Sequence, residues 1–179
     1  MILILVGVSL PIGVYLWRES RRCNPAVRWS ELAESIGFTF SAPPPRLTGK
    51  WKGRMMTLTA NENGTILSCP LQRKDVRLEV GEKSRVERES GMIVPDRIDF
   101  SGPGASDFSA RFMLRSTPPE VGRQALDPAL RKRLLEIAQI HVLAEAGTLR
   151  IEQTPPTEEA ALRDSLDLAE AFADLIDGA

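Results

Sequence analysis

Histidine and cysteine are nearly absent from this 179-residue chain, which holds His141 alone and only Cys23 and Cys69. Two thiols this far apart, with one imidazole, give no zinc or haem ligand spacing and no disulfide framework. No metal and no cofactor is therefore expected. A basic excess is missing too. The formal net charge is −1, which argues against a nucleic-acid binder. Phosphate-cradling motifs are also lacking. Ser101-Gly102-Pro103-Gly104-Ala105-Ser106 is rich in glycine but has neither the dinucleotide-binding nor the P-loop spacing. No carboxylate pair stands out as a glycosidase couple. His141 lies between Ile140 and Val142, whose side chains on a strand would point the other way. That puts His141 on a polar or partly covered face, with no serine or cysteine beside it to act as nucleophile.

What is present is a long apolar run at the amino end. Residues 1–17 carry no charge and stop abruptly at Arg18, Glu19, Ser20, Arg21 and Arg22. As a helix this run would be about 25 Å long, at the short end of what crosses a hydrocarbon core. Tyr15 and Trp17 fall where an aromatic belt belongs, and Gly7 and Pro11 are tolerated in membrane spans. Nothing basic precedes the run and bulky residues occupy its exit, which fits a cleaved secretory signal poorly. The expectation is a transmembrane helix over 1–17 and a basic juxtamembrane segment over 18–28. Arg18, Arg21, Arg22 and Arg28 would keep the domain at 29–179 on the cytoplasmic side of the inner membrane, as a single-pass protein. The same arginines could attract anionic headgroups.

Beyond the run, roughly 160 residues suffice for one domain with its own core. Asn24-Pro25 can open a helix carrying Trp29, Leu32, Ala33 and Ile36 at helical spacing, stopped by Gly37. Residues 38–40 read as a short strand, and Pro43, Pro44 and Pro45 as a stiff connector. Lys52-Gly53 and Asn63-Gly64 then punctuate three strands, at 47–51, 54–60 and 65–71. Residues 75–80 alternate, with Val76, Leu78 and Val80 on one face. Residues 81–91 are polar and charged and read as an exposed loop. Short strands are expected at 92–94, 97–100 and 112–116. Thr117 and Glu120 have capping-box spacing, and Asp127-Pro128 can start a further helix with Arg131, Lys132 and Arg133 outward. A last hairpin turns at Ala146-Gly147, and a long helix covers about 158–176. From Glu152 onward the chain holds eight acids and one base, read as that helix's solvated face. The predicted fold class is α+β: an N-terminal transmembrane helix followed by a twisted antiparallel β-sheet with helices packed on one face.

Several short motifs recur in one order: Asp107-Phe108, Arg111-Phe112, Leu114-Arg115-Ser116, Pro119-Glu120, Leu126-Asp127-Pro128 and Leu130-Arg131. With the hairpin from Leu47-Thr48-Gly49 to Gly53-Arg54, this resembles a group of uncharacterised bacterial proteins with one N-terminal span and a small cytosolic α+β domain. Members of that group show Phe-Asp where this chain has Asp107-Phe108. The resemblance implies architecture and a bacterial origin, and carries no activity, cofactor or catalytic residue.

The functional expectation is a membrane-anchored interaction or scaffold domain, with the lipid bilayer and a protein partner at its cytoplasmic face as associates. The alternative is a binder of a small apolar ligand or lipid, in a cavity lined by Met55, Met56, Leu67 and Phe112. A hydrolase or transferase would require His141 to meet a serine, cysteine or carboxylate at hydrogen-bond distance.

Overall fold

The computed structural model describes residues 25–61, 64–89, 97–100, 102 and 104–178. Helix α1 (Pro25–Ile36) leads into strands β1 (Thr39–Ser41), β2 (Arg46–Trp51), β3 (Arg54–Asn61), β4 (Gly64–Pro70) and β5 (Arg77–Glu82). Helices α2 (Lys83–Glu89) and α3 (Ala105–Arg111) precede β6 (Phe112–Thr117). Then come α4 (Pro119–Ala125), α5 (Pro128–Glu136), β7 (Ile140–Glu145), β8 (Thr148–Gln153) and α6 (Glu159–Gly178). The strands form one eight-stranded sheet in the order β1-β2-β3-β4-β8-β7-β5-β6. Every neighbouring pair in it is antiparallel.

Register fixes which side chains share a face. Leu47 pairs with Leu58, Leu58 with Leu67, Leu67 with Ile151, Ile151 with Val142, Val142 with Val80, and Val80 with Leu114. This aliphatic row runs across seven strands and is buried along its whole length. Helix α6 lies over it, touching β4 and β8, with α4 and α1 beside it. Leu162, Leu166, Ala169, Phe172, Ala173 and Ile176 recur at three- and four-residue steps and form its buried stripe.

The fold expectation needs correction. Among the described residues no helix is long and apolar enough to cross a membrane, and the architecture is an antiparallel sheet with helices. Even α6, at 20 residues, carries acids through its length and is amphipathic. The expected span at 1–17 and its flank lie outside the described residues. Helices also occupy both faces of the sheet. The stretch expected to be an exposed loop contains α2, whose Val86 is buried against the opposite face. Gly81 allows that approach, since a Cβ there would fall 2.8 Å from His141 Cδ2 and 2.9 Å from Val86 Cγ2. Strand β5 is consequently buried on both sides, Leu78 and Val80 beneath the large helices and Glu79 and Gly81 beneath α2.

Smaller corrections follow the same logic. The strand expected at 92–94 lies outside the described residues, and 97–100 contributes a bridge from Arg97 to Arg115. The capping box does not form; Pro118 occupies the N-cap of α4, without a side-chain cap bond. Asp127 does cap α5, accepting from Leu130 N at 2.7 Å, with Pro128 at the first helical position.

Candidate functional site

Helix α6 is not held by its apolar stripe alone. Arg54 donates through Nη1 to Asp177 (2.7 Å) and through Nε and Nη2 to Asp174 (3.1 and 2.8 Å). Lys52 reaches Asp167 and Glu170, and Trp51 Nε1 donates to Asp167 Oδ1 at 2.9 Å. The acids read as a solvated face are thus clasped by the β2–β3 hairpin. Burial raises the Asp167 carboxyl, but hydrogen bonds from Trp51 and Lys52 outweigh it and leave the group below its ordinary range. Lys52 is raised in return, first by its hydrogen bond to Asp167.

With α6 fixed there, the far ends of β8 and α6 frame two adjoining grooves. The first, about 440 Å³, is polar and lined by Asn61, Gly64, Thr65, Arg85, Gln139, Glu152 and Gln153. The end of β3 and the start of β4 contribute Asn61, Gly64 and Thr65 to it. Gly64 has φ +153°, and a Cβ there would lie 2.7 Å from the Gln153 carbonyl, so only glycine lets β4 start so close to β8. Thr65 donates through Oγ1 to that carbonyl at 3.1 Å. Arg85 on α2 is paired with Glu152 on β8 through Nη2.

The second groove, about 630 Å³, runs between the end of α5, the connector at 154–157 and the first turns of α6. Pro155 and Pro156 stiffen that connector, and with Ile137, Ala161 and Leu168 they give the groove an apolar side. Arg133 Nη2 donates to the Asp164 carbonyl at 2.5 Å and closes one end. Gln153 lines both grooves, so they meet at that residue. Its Nε2 donates to Ser165 Oγ at 2.6 Å, and Ser165 donates in turn to the Ala161 carbonyl at 2.8 Å. No sequence motif marked these residues, because the grooves are assembled from segments far apart in the chain.

The side chains anticipated for an apolar cavity lie elsewhere. Met56, Leu67 and Phe112 are wholly buried in the packed core. Met55 precedes Met56 in the strand and so points to the other face, where it is 43% exposed. Phe112 on β6 stands four strands beyond β4, about 19 Å from Leu67 at the usual strand spacing. The four do not share one space. The anticipated anchor residues Tyr15, Trp17, Arg18, Arg21 and Arg22 lie outside the described residues.

Other reactive groups are accounted for in the packing. His141 Nε2 lies 2.9 Å from Glu79 Oε1, a pair on the face beneath α2 in which the carboxylate is buried and the imidazole partly so. It meets a carboxylate, and no hydroxyl or thiol among the described residues is seen to bond to it. Burial pushes the Cys69 thiol up to about 11. Arg131, expected on the outer surface, is buried and stacks 5.0 Å over the Phe100 ring. Arg111 donates to the Leu135 and Ile137 carbonyls at 3.1 and 2.8 Å, closing the carboxyl end of α5. Among the described residues no cluster of three or more His, Cys, Asp or Glu could hold a metal ion.

No protein-family model matches the chain. No curated protein matches it in sequence. Among solved structures the chain is similar to the crystal structure of the mycobacterial trehalose monomycolate transport factor A, TtfA. The two superpose with a TM-score of 0.60 at 15% identity, over 86% of this chain and 95% of that one. At that identity the likeness establishes a shared α+β fold.

Proposed function

We propose that this chain is a non-enzymatic binding domain for an amphiphilic lipid, held at its surface and not in its interior. The observation that carries the reading is the 630 Å³ groove beside α6, whose volume falls within the ~300–1,000 Å³ of small-molecule sites. Its apolar side, formed by Ile137, Pro155, Pro156, Ala161 and Leu168, suits a hydrocarbon chain. The structural neighbour, a trehalose monomycolate transport factor, supports the same direction. We place the activity at a membrane surface, where Arg18, Arg21, Arg22 and Arg28 would meet anionic headgroups.

Calorimetric titration of the full chain with decyl maltoside below its micelle concentration tests this. Binding is expected, and Ala161→Trp, an exposed position on the groove wall, should weaken it at least tenfold without altering thermal unfolding. Absence of binding by decyl maltoside and by charged decyl amphiphiles alike, or equal binding by the variant, refutes the groove as a lipid site.

A second reading, an interaction domain, draws on the other sheet face. Thr48, Met55, Thr57, Ile66 and Ser68 lie there beyond the cover of α2, and Met55 is the large hydrophobic side chain left exposed among the described residues. Crosslinking of the full chain in cells to a protein through position 55 would favour this second role.

A further inference from the structure

We infer that the ligand's head group is uncharged and rich in hydroxyls, and that it occupies the polar groove while its chain follows the apolar one. This rests on the lipid-binding reading above and specifies its ligand. Three of the seven described lining residues of the polar groove are amides, Asn61, Gln139 and Gln153, while the Thr65 hydroxyl donates to the Gln153 carbonyl. An amide side chain both donates and accepts, as a hydroxyl group does, whereas a phosphate or carboxylate only accepts.

The charges in the groove point the same way. Among its described lining residues the cation, Arg85, is paired with the anion, Glu152, so their charges cancel. A phosphate entering there would face the Glu152 carboxylate, and an ammonium would face Arg85. Either would desolvate its charge without an opposite charge to balance it. A ring of hydroxyls meets no such penalty. It can donate to Glu152 and to the amide oxygens, and accept from the Asn61, Gln139 and Arg85 nitrogens.

Gln153 is the hinge of the arrangement. Its Nε2 is committed to Ser165 in the apolar groove, which leaves Oε1 to accept from a head-group hydroxyl. An amphiphile whose polar and apolar parts join at Gln153 would fill both grooves at once. A bare sugar or a bare alkyl chain would fill only one.

The test is a set of probes sharing a ten-carbon chain: decyl maltoside, decyl phosphate, decyltrimethylammonium and decanoate, each titrated into the full chain below its micelle concentration. The expected result is that decyl maltoside binds at least tenfold more tightly than the three charged probes. Gln139→Ala and Asn61→Ala should each weaken the maltoside up to about tenfold, the worth of one hydrogen bond, and leave decanoate unchanged. Equal or tighter binding of a charged probe overturns the head-group assignment while leaving the lipid site standing. So does binding of all four with no effect from either variant. If none of the four binds, the lipid reading itself falls, and this inference with it.

Discussion

Replacing Arg54 with alanine should destabilise the domain by about 2–3 kcal/mol, less than the 3–5 kcal/mol of stripping a partner from a fully buried ion pair. The discount comes from the geometry. Asp177 is 7% exposed and accepts from Arg54 at 2.7 Å, but also from the backbone N–H groups of Gln72 (2.8 Å) and Arg73 (3.3 Å). After the substitution the carboxylate remains buried, yet it keeps those two donors. Asp174, 58% exposed, is the weaker half of the clasp, and Asp174→Ala should cost no more than about 1 kcal/mol. For a domain of this size the urea dependence is about 2 kcal/mol per molar, so the Arg54 midpoint should fall by about 1 M. Equilibrium urea unfolding followed by far-ultraviolet circular dichroism reads both variants. If Arg54→Ala unfolds within 0.3 M of the parent, or Asp174→Ala costs as much as Arg54→Ala, the partly buried clasp is not what holds the end of α6.

The same hairpin should give stability a dependence on pH at both extremes. Asp167 is depressed in the fold, so its contribution is full above the unfolded value, about 3.9, and is lost as pH falls through the lower folded value. Lys52 is raised, so its share is full below about 10.4 and is lost as pH rises through the higher folded value. Urea midpoints across pH should drop at both ends for the parent, and Asp167→Asn should flatten both limbs; an unchanged profile in that variant contradicts the assignment. Cys69, with its thiol pushed up to about 11 and buried, should resist a thiol reagent at pH 8 in a Cys23→Ser background and react only as fast as the protein opens. Rapid labelling without denaturant would contradict that packing.

Much of the sheet could be read from the residues because its signals are local. Lys52-Gly53 and Ala146-Gly147 take the positive φ angles of tight hairpin turns, 46° and 90°, and 50° and 76°. The strands beside them carry a period of two. What could not be read depends on distant partners. Helix α2 presents a single aliphatic residue, Val86, in a run of charges, and becomes buried only because Gly81 leaves room on the sheet. Helix α3 was hidden by its Gly-Pro-Gly approach, although Phe108 packs into the core. Arg131 reads as surface until Phe100 is brought over it. The acids of α6 look solvated until Lys52 and Arg54 arrive from a hairpin more than a hundred residues earlier. The grooves were illegible for the same reason: Asn61, Gln139 and Gln153 are unremarkable in sequence, and only the strand order makes them neighbours.

The most direct measurement is a residue-resolved one, a ¹H–¹⁵N correlation titration of the chain with decyl maltoside below its micelle concentration. The account predicts saturable shifts at Asn61, Thr65, Gln139 and Gln153 together with Ala161, Ser165 and Leu168, all in one binding step. Shifts confined to the strands around Met55, or no shifts at all, would contradict it.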